Sequence, residues 1–217
     1  MLTNVLNKID KQPYEEIVKH FDFAQEKINK SLLRLIKKKE IIFTHCHSTN
    51  VVNALIHAKK QKKNFEVYNT ETRPLYQGRK TSKELSEAKI KVTQFVDSAI
   101  KIALTKKQGA KKVTKIFIGA DALLKGGIVN KVGSGIIAQI AYDSKIPVYI
   151  IADSWKFSSK EKKLEKRHFL EVWKKIPKNS KIKIQNPAFE FVPKKFIKGI
   201  VSELGLMKYE KFLKIVN

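Results

Sequence analysis

The segment that decides the fold is IIFTHCHS at residues 41–48, followed by TNVVNALIHAKK at 49–60. Its first four residues form a short apolar run with β-branched side chains, which predicts a buried strand. A polar cluster follows, and apolar residues then recur at helical spacing. This order predicts a strand, a polar loop that contains one cysteine and two histidines, and a helix.

The same order of elements recurs along the chain. Further strands are predicted at 65–68, 90–95, 115–118 and 147–152, and helices at 82–88, 96–105 and 132–142. Strands that alternate with helices pair in parallel through crossover connections. The sequence therefore predicts an α/β protein with an open, doubly wound (Rossmann-like), mostly parallel sheet that helices cover on both faces.

The two ends of the chain are less regular. Apolar positions at helical spacing over 14–38 predict one or two packed helices. We therefore interpret 1–39 as a short helical lead-in and 40–217 as one Rossmann-like domain. Near the C-terminus we predict an edge strand at 181–184 and helices at 194–203 and 209–216.

Composition restricts the class of protein. The 217 residues are 42% hydrophobic, which is enough for a substantial core. No apolar run approaches the ~20 residues of a membrane-spanning helix, and the N-terminal sequence lacks the apolar core of a secretory signal. The single cysteine, Cys46, has no partner for an intramolecular disulfide. These features predict a soluble cytoplasmic protein with no membrane partner.

The chain is strongly basic, with 45 Lys and Arg against 20 Asp and Glu and a net charge of +25. Such a field attracts polyanions, including nucleic acid. The lysines are nevertheless scattered along the whole chain, and we find no nucleic-acid-binding motif. We interpret most of them as solvated faces and keep a nucleic-acid partner as an alternative, while a small phosphorylated ligand would also benefit from this field.

Polar residues follow several of the predicted strands. They are the THCHS loop at 44–48, NTETRP at 69–74, GAD at 119–121 and DSWK at 153–156. In a doubly wound sheet the ligand binds outside the carboxyl ends of the strands, where loops converge and helix N-termini point. We therefore expect these four loops to meet around one site.

Five segments carry a resemblance to a known family. They are IIFTHCHS (41–48), TETRPLYQGRKTSKEL (70–85), IGADALLKGGIVNKVGSG (118–135), ADSWKF (152–157) and NPAFEFVPKKFIKGIVSELG (186–205). In this order they resemble the family that joins the alpha, beta and delta subunits of initiation factor 2B to two aldose-ketose isomerases. Those enzymes are methylthioribose-1-phosphate isomerase and ribose-1,5-bisphosphate isomerase.

The resemblance implies a catalytic pair. The isomerases are similar in a cysteine of the THC segment and an aspartate of the GAD segment, which stand here as Cys46 and Asp121. Moving a carbonyl from C1 to C2 of a sugar needs two groups that exchange protons. By this analogy Cys46 is the acid/base at the reacting carbon, and Asp121 acts on ring opening. We expect the following helix and the positive surroundings to favour a thiolate; an inert buried cysteine is the alternative.

The resemblance also implies a set of substrate contacts. Asn130 and Lys131 match the family's asparagine-lysine pair at a substrate hydroxyl and phosphate, next to glycines that allow close backbone approach. Gln77 matches a substrate-contacting glutamine. Arg73 is expected to bind phosphate bidentately, and Lys156 to add a phosphate contact. The alternatives are a glycine-rich turn with a solvated lysine at 130–131, a structural Arg73 and a solvated Lys156.

We predict neither a cofactor nor a metal. The sequence has no dinucleotide glycine fingerprint and no phosphate-loop GK[ST] motif. His45 and His47 flank Cys46, but alternate residues of an extended segment diverge, and no second cluster supplies further ligands. We expect the histidines to tune the thiol.

The sequence departs from the family before the first strand. The family's isomerases carry a larger N-terminal helical domain with an arginine-glycine segment that wraps a substrate phosphate. Here about 40 residues precede the THC strand, without an Arg-Gly pair. Another residue or a partner chain then completes the site, or the substrate carries one phosphate, or activity is lost.

Two functions follow from the resemblance. The first is an aldose-ketose isomerase that acts on a phosphorylated ribose derivative and is similar to ribose-1,5-bisphosphate isomerase. The second is a non-catalytic regulatory subunit that binds a sugar phosphate or nucleotide in the same pocket and docks on a translation partner. In both cases we expect a homodimer or higher oligomer.

Overall fold

The fold is built around a seven-stranded sheet. The computed structural model describes residues 13–160, 164–177 and 180–216. In this part of the chain the strands are β1 (Glu40–Thr44), β2 (Phe65–Thr70), β3 (Lys91–Phe95), β4 (Lys115–Ile118), β5 (Ala122–Leu124), β6 (Gly127–Lys131), β7 (Val148–Ile151), β8 (Phe189–Pro193), β9 (Gly199–Ser202) and β10 (Gly205–Met207). The large sheet has the order β10-β9-β7-β4-β1-β2-β3 and is parallel except between β9 and β10. The predicted α/β class and open, mostly parallel sheet are confirmed.

Helices cover both faces of this sheet. They are α1 (Tyr14–Leu35), α2 (Thr49–Lys60), α3 (Gln77–Glu87), α4 (Ile100–Leu104), α5 (Ser134–Asp143) and α6 (Tyr209–Val216). The side chains of α1, α2 and α3 contribute to one hydrophobic cluster, and those of α4, α5 and α6 to another. Among the described residues, no helix has the length and apolar character needed to cross a lipid bilayer.

β1 shows how one strand serves both cores. All five of its residues are buried. Ile41 and Phe43 pack into the cluster that contains α5 and α6, whereas Ile42 packs into the cluster that contains α1 and α2. Successive side chains of a strand point to opposite faces, so an apolar run without polar alternation is what a strand covered on both faces requires. The 41–44 strand prediction is therefore confirmed for the expected reason.

A second, smaller sheet was not predicted. β5, β6 and β8 form an antiparallel sheet in the order β5-β6-β8, and β6 pairs with β8 so that Asn130 lies opposite Glu190 and Lys131 opposite Phe189. The strands of this sheet are only three to five residues long. They contain or adjoin the glycines that we expected to allow close backbone approach of a ligand, and glycine-rich segments of this length do not indicate strands.

Two element predictions near the C-terminus are wrong. Residues 181–184 form no strand, since they are exposed or half-buried and pair with no neighbour. Residues 194–203 are not a helix but a short 3-10 turn, Lys194–Phe196, followed by β9. β9 is buried along its whole length between β7 and β10, and a short apolar run of this kind does not distinguish strand from helix by its period.

The lead-in and domain boundary at 39/40 stays a prediction. Residues 1–12 lie outside the described part of the chain. The described helix α1 is one helix, and its residues Ile28 and Leu32 are fully buried in the cluster that also contains α2 residues. The part of the lead-in that the structure describes therefore shares a core with the sheet.

The order of the strands places the site. From β1 the chain runs outward through β2 and β3, and it then returns to pair β4 on the other side of β1. The carboxyl ends of β1 and β4 thus border the crevice where the strand order reverses, which is where open α/β sheets bind ligands. Cys46 follows β1 and Asp121 follows β4.

Gly78 tests how tightly the loop after β2 is held. A Cβ at this position would lie 1.7 Å from the main-chain oxygen of Thr70. We expect Gly78→Ala to lower the free energy of unfolding by about 2 kcal/mol or more, because backbone must move. Urea unfolding, monitored by circular dichroism, measures this change in the free energy of unfolding. The matched control is the exposed Gly126→Ala, whose Cβ would meet only the flexible Phe191 side chain at 3.3 Å and should change stability by at most about 0.5 kcal/mol. Equal effects would contradict the tight packing at Gly78.

Candidate active site

The main chain of Cys46 is held in an unusual conformation. Its φ is +64°, in the left-handed region that costs an L-residue roughly 1–2 kcal/mol. The Cys46 N–H donates to Thr72 Oγ1 at 3.0 Å, and the Thr81 hydroxyl donates to the Cys46 carbonyl at 2.8 Å. Two threonines from the segment after β2 therefore fix the loop after β1. Strained residues that are held in this way cluster at functional sites.

His45 has a structural role in this arrangement. Its Nε2 lies 2.9 Å from the Val132 carbonyl and its Nδ1 lies 2.5 Å from Thr70 Oγ1. A carbonyl only accepts, so Nε2–H is the donor and Nδ1 accepts from the threonine hydroxyl. Burial lowers the pKa of His45, although the Val132 carbonyl opposes that shift. His45 is thus a neutral link between β1 and the turn before α5, with both ring nitrogens occupied.

His47 faces away from this link. Its Nδ1 lies 3.0 Å from Thr81 Oγ1, and its Nε2 lies 4.0 Å from Glu84 Oε1. The His47 main-chain N–H acts on the thiol of Cys46 and lowers its pKa. Among the described residues, no group of three or more His, Cys, Asp or Glu side chains is arranged to hold a metal ion.

Two adjoining cavities lie beside Cys46 and Asp121. The first chamber, of about 490 Å³, is lined by Cys46, Gln77 and Lys131. The second chamber, of about 430 Å³, is lined by Lys156 and by polar residues of α1 and α2. Five residues line both chambers: His47, Ser48, Gly119, Asp121 and Asn130. Five of the seven predicted site residues, all but Arg73 and Lys156, line the first chamber.

Cys46 is a thiol rather than a thiolate. Burial raises the pKa of the Cys46 thiol to about 11, and the N–H of His47 and the charge of Lys131 only partly oppose this. The Sγ–H points to Gln77 Oε1 at 3.6 Å. The expectation of a thiolate is therefore wrong, because the desolvation of the site outweighs the helix and the positive neighbours. A neutral thiol with its proton directed at an amide oxygen is a proton donor.

Asp121 faces both chambers. Its N–H donates to the Val129 carbonyl at 2.8 Å, which fixes the residue between β4 and β5. Burial raises the pKa of the Asp121 carboxyl, and the ammonium of Lys156 opposes the shift. A carboxylate whose pKa is shifted toward neutrality is a better base at physiological pH than an exposed aspartate.

Asn130 and Lys131 lie on β6 rather than in a turn. The Asn130 amide donates to Ser134 Oγ at 2.8 Å, which orients it at the start of α5. Lys131 is only 4% exposed and lines the first chamber. Within the described ranges its ammonium has neither a hydrogen-bond partner nor an ion-pair partner. A buried cation without a partner is costly, so it favours an anionic ligand in this chamber.

The glycines near this pair do not form an open anion site. The N–H groups of Gly133 and Gly135 both donate to Glu190 Oε1, at 2.6 and 2.9 Å. A Cβ on Gly135 would lie 2.7 Å from Glu190 Oε2. The carboxylate of β8 therefore occupies the N-terminus of α5, where we had expected close approach of the ligand. Both positions therefore need glycine for packing: a Cβ on Gly135 would clash with Glu190, and a Cβ on Gly133 would lie 2.8 Å from the His45 ring.

The two predicted phosphate-binding side chains lie differently. The Arg73 guanidinium donates to the Tyr76 hydroxyl at 2.6 Å and to the Val172 carbonyl at 3.2 Å, and Arg73 lines neither chamber. These contacts match a structural role for Arg73, which was the alternative to phosphate binding. Lys156 lines the second chamber, and its Nζ donates to the Ala120 carbonyl at 2.9 Å.

Arg167 is a site residue that the sequence did not indicate. It lines the first chamber, and its guanidinium binds Glu171 at 2.8 Å and Glu165 at 3.4 Å. It lies outside the five family-like segments and is one of 45 basic residues. Nothing in its local pattern distinguishes it; only the fold brings it to the chamber.

Comparison with known proteins identifies the family of the chain. The model of the Initiation factor 2 subunit family matches residues 5–209. A protein of Methanocaldococcus jannaschii named ribose 1,5-bisphosphate isomerase is 35% identical over 211 residues, covering 91% of this chain and 67% of the relative. A methylthioribose-1-phosphate isomerase of Geotalea daltonii is 34% identical over 200 residues, covering 83% of this chain and 57% of the relative.

A solved structure shows the same fold. The translation initiation factor eIF-2B of Pyrococcus horikoshii OT3 superposes with a TM-score of 0.78 at 28% identity, covering 89% of this chain and 67% of that chain. The chain thus spans about two thirds or less of the length of these three proteins.

The protonation state of Cys46 can be tested by alkylation. Because the pKa of the thiol is about 11 and the thiolate is the nucleophile, the rate of iodoacetamide modification should rise about tenfold per pH unit from pH 7 to 10. Intact-mass spectrometry follows the reaction at the single cysteine. In urea the same thiol should titrate near its ordinary value of about 8.5. A native rate that levels off below pH 9 would show that the site favours the thiolate.

Proposed function

Since the chain belongs to the initiation factor 2 subunit family, we propose that it is an aldose-ketose isomerase acting on a phosphorylated ribose derivative. The observation that carries the proposal is that Cys46, Asp121 and Lys131 line the same cavity. Two proton-exchanging groups and one buried cation are what the isomerisation of a sugar phosphate needs. The relatives named ribose 1,5-bisphosphate isomerase and methylthioribose-1-phosphate isomerase support it.

The two proton-exchanging residues have complementary roles. Cys46 rests as a thiol with a raised pKa, and it is the acid/base group at the reacting carbons C1 and C2. Asp121 exchanges protons with the sugar oxygens, and its raised pKa makes it more basic. As the C1–O4 bond of the ring breaks, O4 gains a proton; the hydrogen on C2 is transferred to C1, and the C2 hydroxyl loses its proton to Asp121 as the C2 carbonyl forms. The proton that O4 gains balances the one that the C2 hydroxyl loses, so both residues end in their starting states.

The remaining residues bind and orient the substrate. Lys131 is the phosphate ligand, because a phosphate supplies the counter-charge that its ammonium lacks within the described residues. Asn130 binds a sugar hydroxyl, since its amide is held by Ser134 at the border of both chambers. Gln77 is a positioning residue that directs the Cys46 thiol. Lys156 tunes Asp121 through its charge.

A binding role in translation is the second candidate. It is favoured by the structural likeness to a translation initiation factor at 28% identity and by the net charge of +25, which suits an acidic partner or RNA. In this role the same cavity holds a sugar phosphate or a nucleotide without turnover. For either function we propose a homodimer in the cytoplasm.

Turnover separates the two candidates. With purified protein, we expect proton NMR to show conversion of ribose 1-phosphate, ribose 1,5-bisphosphate or methylthioribose 1-phosphate to its ketose. Cys46→Ser and Asp121→Asn should each lower kcat by about 10²- to 10⁴-fold, the usual contribution of one acid/base group. Asp143→Asn is the matched control, because Asp143 is exposed, lines neither chamber and has Gln139 as its one hydrogen-bond partner within the described ranges. Full turnover in both site variants would rule out the proposed pair.

The role of Lys131 predicts a loss of affinity. Lys131→Met keeps the length and apolar stem of the side chain but removes its charge. We expect KM for the phosphorylated substrate to rise about 10- to 100-fold, since hydrogen bonds to charged groups contribute about 1.5–3 kcal/mol. The control is Lys107→Met, an exposed lysine remote from the chambers. If KM is unchanged while kcat falls, Lys131 acts on the chemistry and not on phosphate binding.

A further inference from the structure

The second chamber contains a buried carboxylate that the proposed reaction does not use. Asp153 follows β7, lines the second chamber and is 2% exposed. Its Oδ1 has no hydrogen-bond partner among the described residues. Buried carboxylate oxygens are nearly always hydrogen-bonded, and an unsatisfied one needs an explanation.

Two donors near Asp153, Ser154 and Lys156, are already engaged, and the charge of His20 also acts on its carboxyl. The Ser154 N–H donates to Glu203 Oε2 at 3.0 Å, and the Ser154 hydroxyl also binds Glu203. The ammonium of Lys156 donates to the Ala120 carbonyl at 2.9 Å. Burial raises the pKa of Asp153, while the charge of Lys156 lowers it. A donor from a ligand in the chamber would satisfy the free oxygen.

The two chambers differ in charge. Apart from the shared Asp121, the charged residues that line the first chamber are Lys131 and Arg167 against Glu165. Those that line the second are Lys156 against Asp22 and Asp153. In the first chamber Arg167 is paired with Glu165 and Glu171, and Lys131 is the cation without an ion pair among the described residues; the second chamber has one cation for two carboxylates. Of the two, the first favours a phosphate dianion.

The N-terminus of α2 is the feature of the second chamber that favours an anion, because Ser48, Thr49 and Asn50 line it. The carboxylates of Asp22, Asp121 and Asp153 line the same chamber and oppose the binding of an anion there. A phosphate placed here would also leave Asp153 Oδ1 unsatisfied, because a dianionic phosphate has no proton to donate. A neutral hydroxyl fits this chamber better, since it can donate a hydrogen bond to Asp153 Oδ1 and brings no charge beside the carboxylates.

We propose that the second chamber binds the free hydroxyl end of the sugar through Asp153, so that the substrate is a ribose with a single phosphate, held in the first chamber by Lys131. This inference rests on the proposed isomerase function, and it narrows the substrate class. With the phosphate of C1 beside Lys131 and the reacting carbons at Cys46 and Asp121, the C5 end of the sugar reaches past Asp121 into the second chamber. Asp153 then accepts the hydrogen bond of the C5 hydroxyl.

Calorimetric binding to the unaltered protein tests this assignment without requiring turnover. The ligands are ribose 1-phosphate, 5-deoxyribose 1-phosphate and ribose 1,5-bisphosphate. We expect ribose 1-phosphate to bind about 10- to 100-fold more tightly than either of the others, because one lacks the donor and the other adds charge beside carboxylates. Bisphosphate binding as tight as that of ribose 1-phosphate would overturn the assignment.

The variant Asp153→Asn supplies the second measurement. It should reduce the preference for ribose 1-phosphate over the bisphosphate by about tenfold or more, while Asp143→Asn leaves the preference unchanged. An unchanged preference in a folded Asp153→Asn protein would also overturn the assignment. Failure of the isomerase function has a different signature: the binding preference is present, and no ketose forms from ribose 1-phosphate.

Discussion

The burial of β1 on both faces and along both edges is the constraint on which the rest of the structure depends. β2 and β4 pair with its two sides, and its side chains enter both hydrophobic clusters. Such a strand has no solvent-facing position for polar residues. Glu40 at its start is paired with Lys115, and the other polar groups lie at and beyond its carboxyl end. The chain reverses its winding direction at the same strand. The strand order alone therefore places the loop that contains Cys46 at the crevice where open α/β sheets bind ligands.

Desolvation at that crevice sets the electrostatics of the site. Burial is the largest influence on the pKa of Cys46, Asp121 and His45, and in each case it favours the neutral form. The positive neighbours only moderate this effect. The net charge of the chain thus says little about the protonation of its active site, because most of the lysines are in water and the reacting groups are not.

Much of the large sheet could be predicted, because its strands are apolar runs that alternate with amphipathic helices. Cys46, Asp121, Gln77, Asn130 and Lys131 were predicted through motifs that the chain shares with its family, and the fold places them around one cavity. β9 was mistaken for helix since four buried residues carry no period. The glycines that were expected to allow close approach of the ligand instead bind Glu190, which is 55 residues away from Gly135 in the sequence. The DSWK loop that contains Asp153 was expected at the site because it follows a predicted strand, whereas Arg167 owes its position to tertiary contacts, which local patterns do not contain.

The division of the cavity explains why shared motifs leave the substrate undecided. In the proposed reaction, Cys46, Asp121 and Asn130 act on the reacting part of the pentose, whichever groups it carries at its ends, and they line the first chamber. The proposed binding mode places the two ends of the sugar beside different residues: Lys131 in one chamber and Asp153 in the other. A scaffold can therefore keep its reaction while a charge in the second chamber selects among a phosphate, a hydroxyl and an apolar substituent. In this chain the Asp153 carboxylate supplies that charge, and its Oδ1 has no hydrogen-bond donor among the described residues, which argues for a hydroxyl.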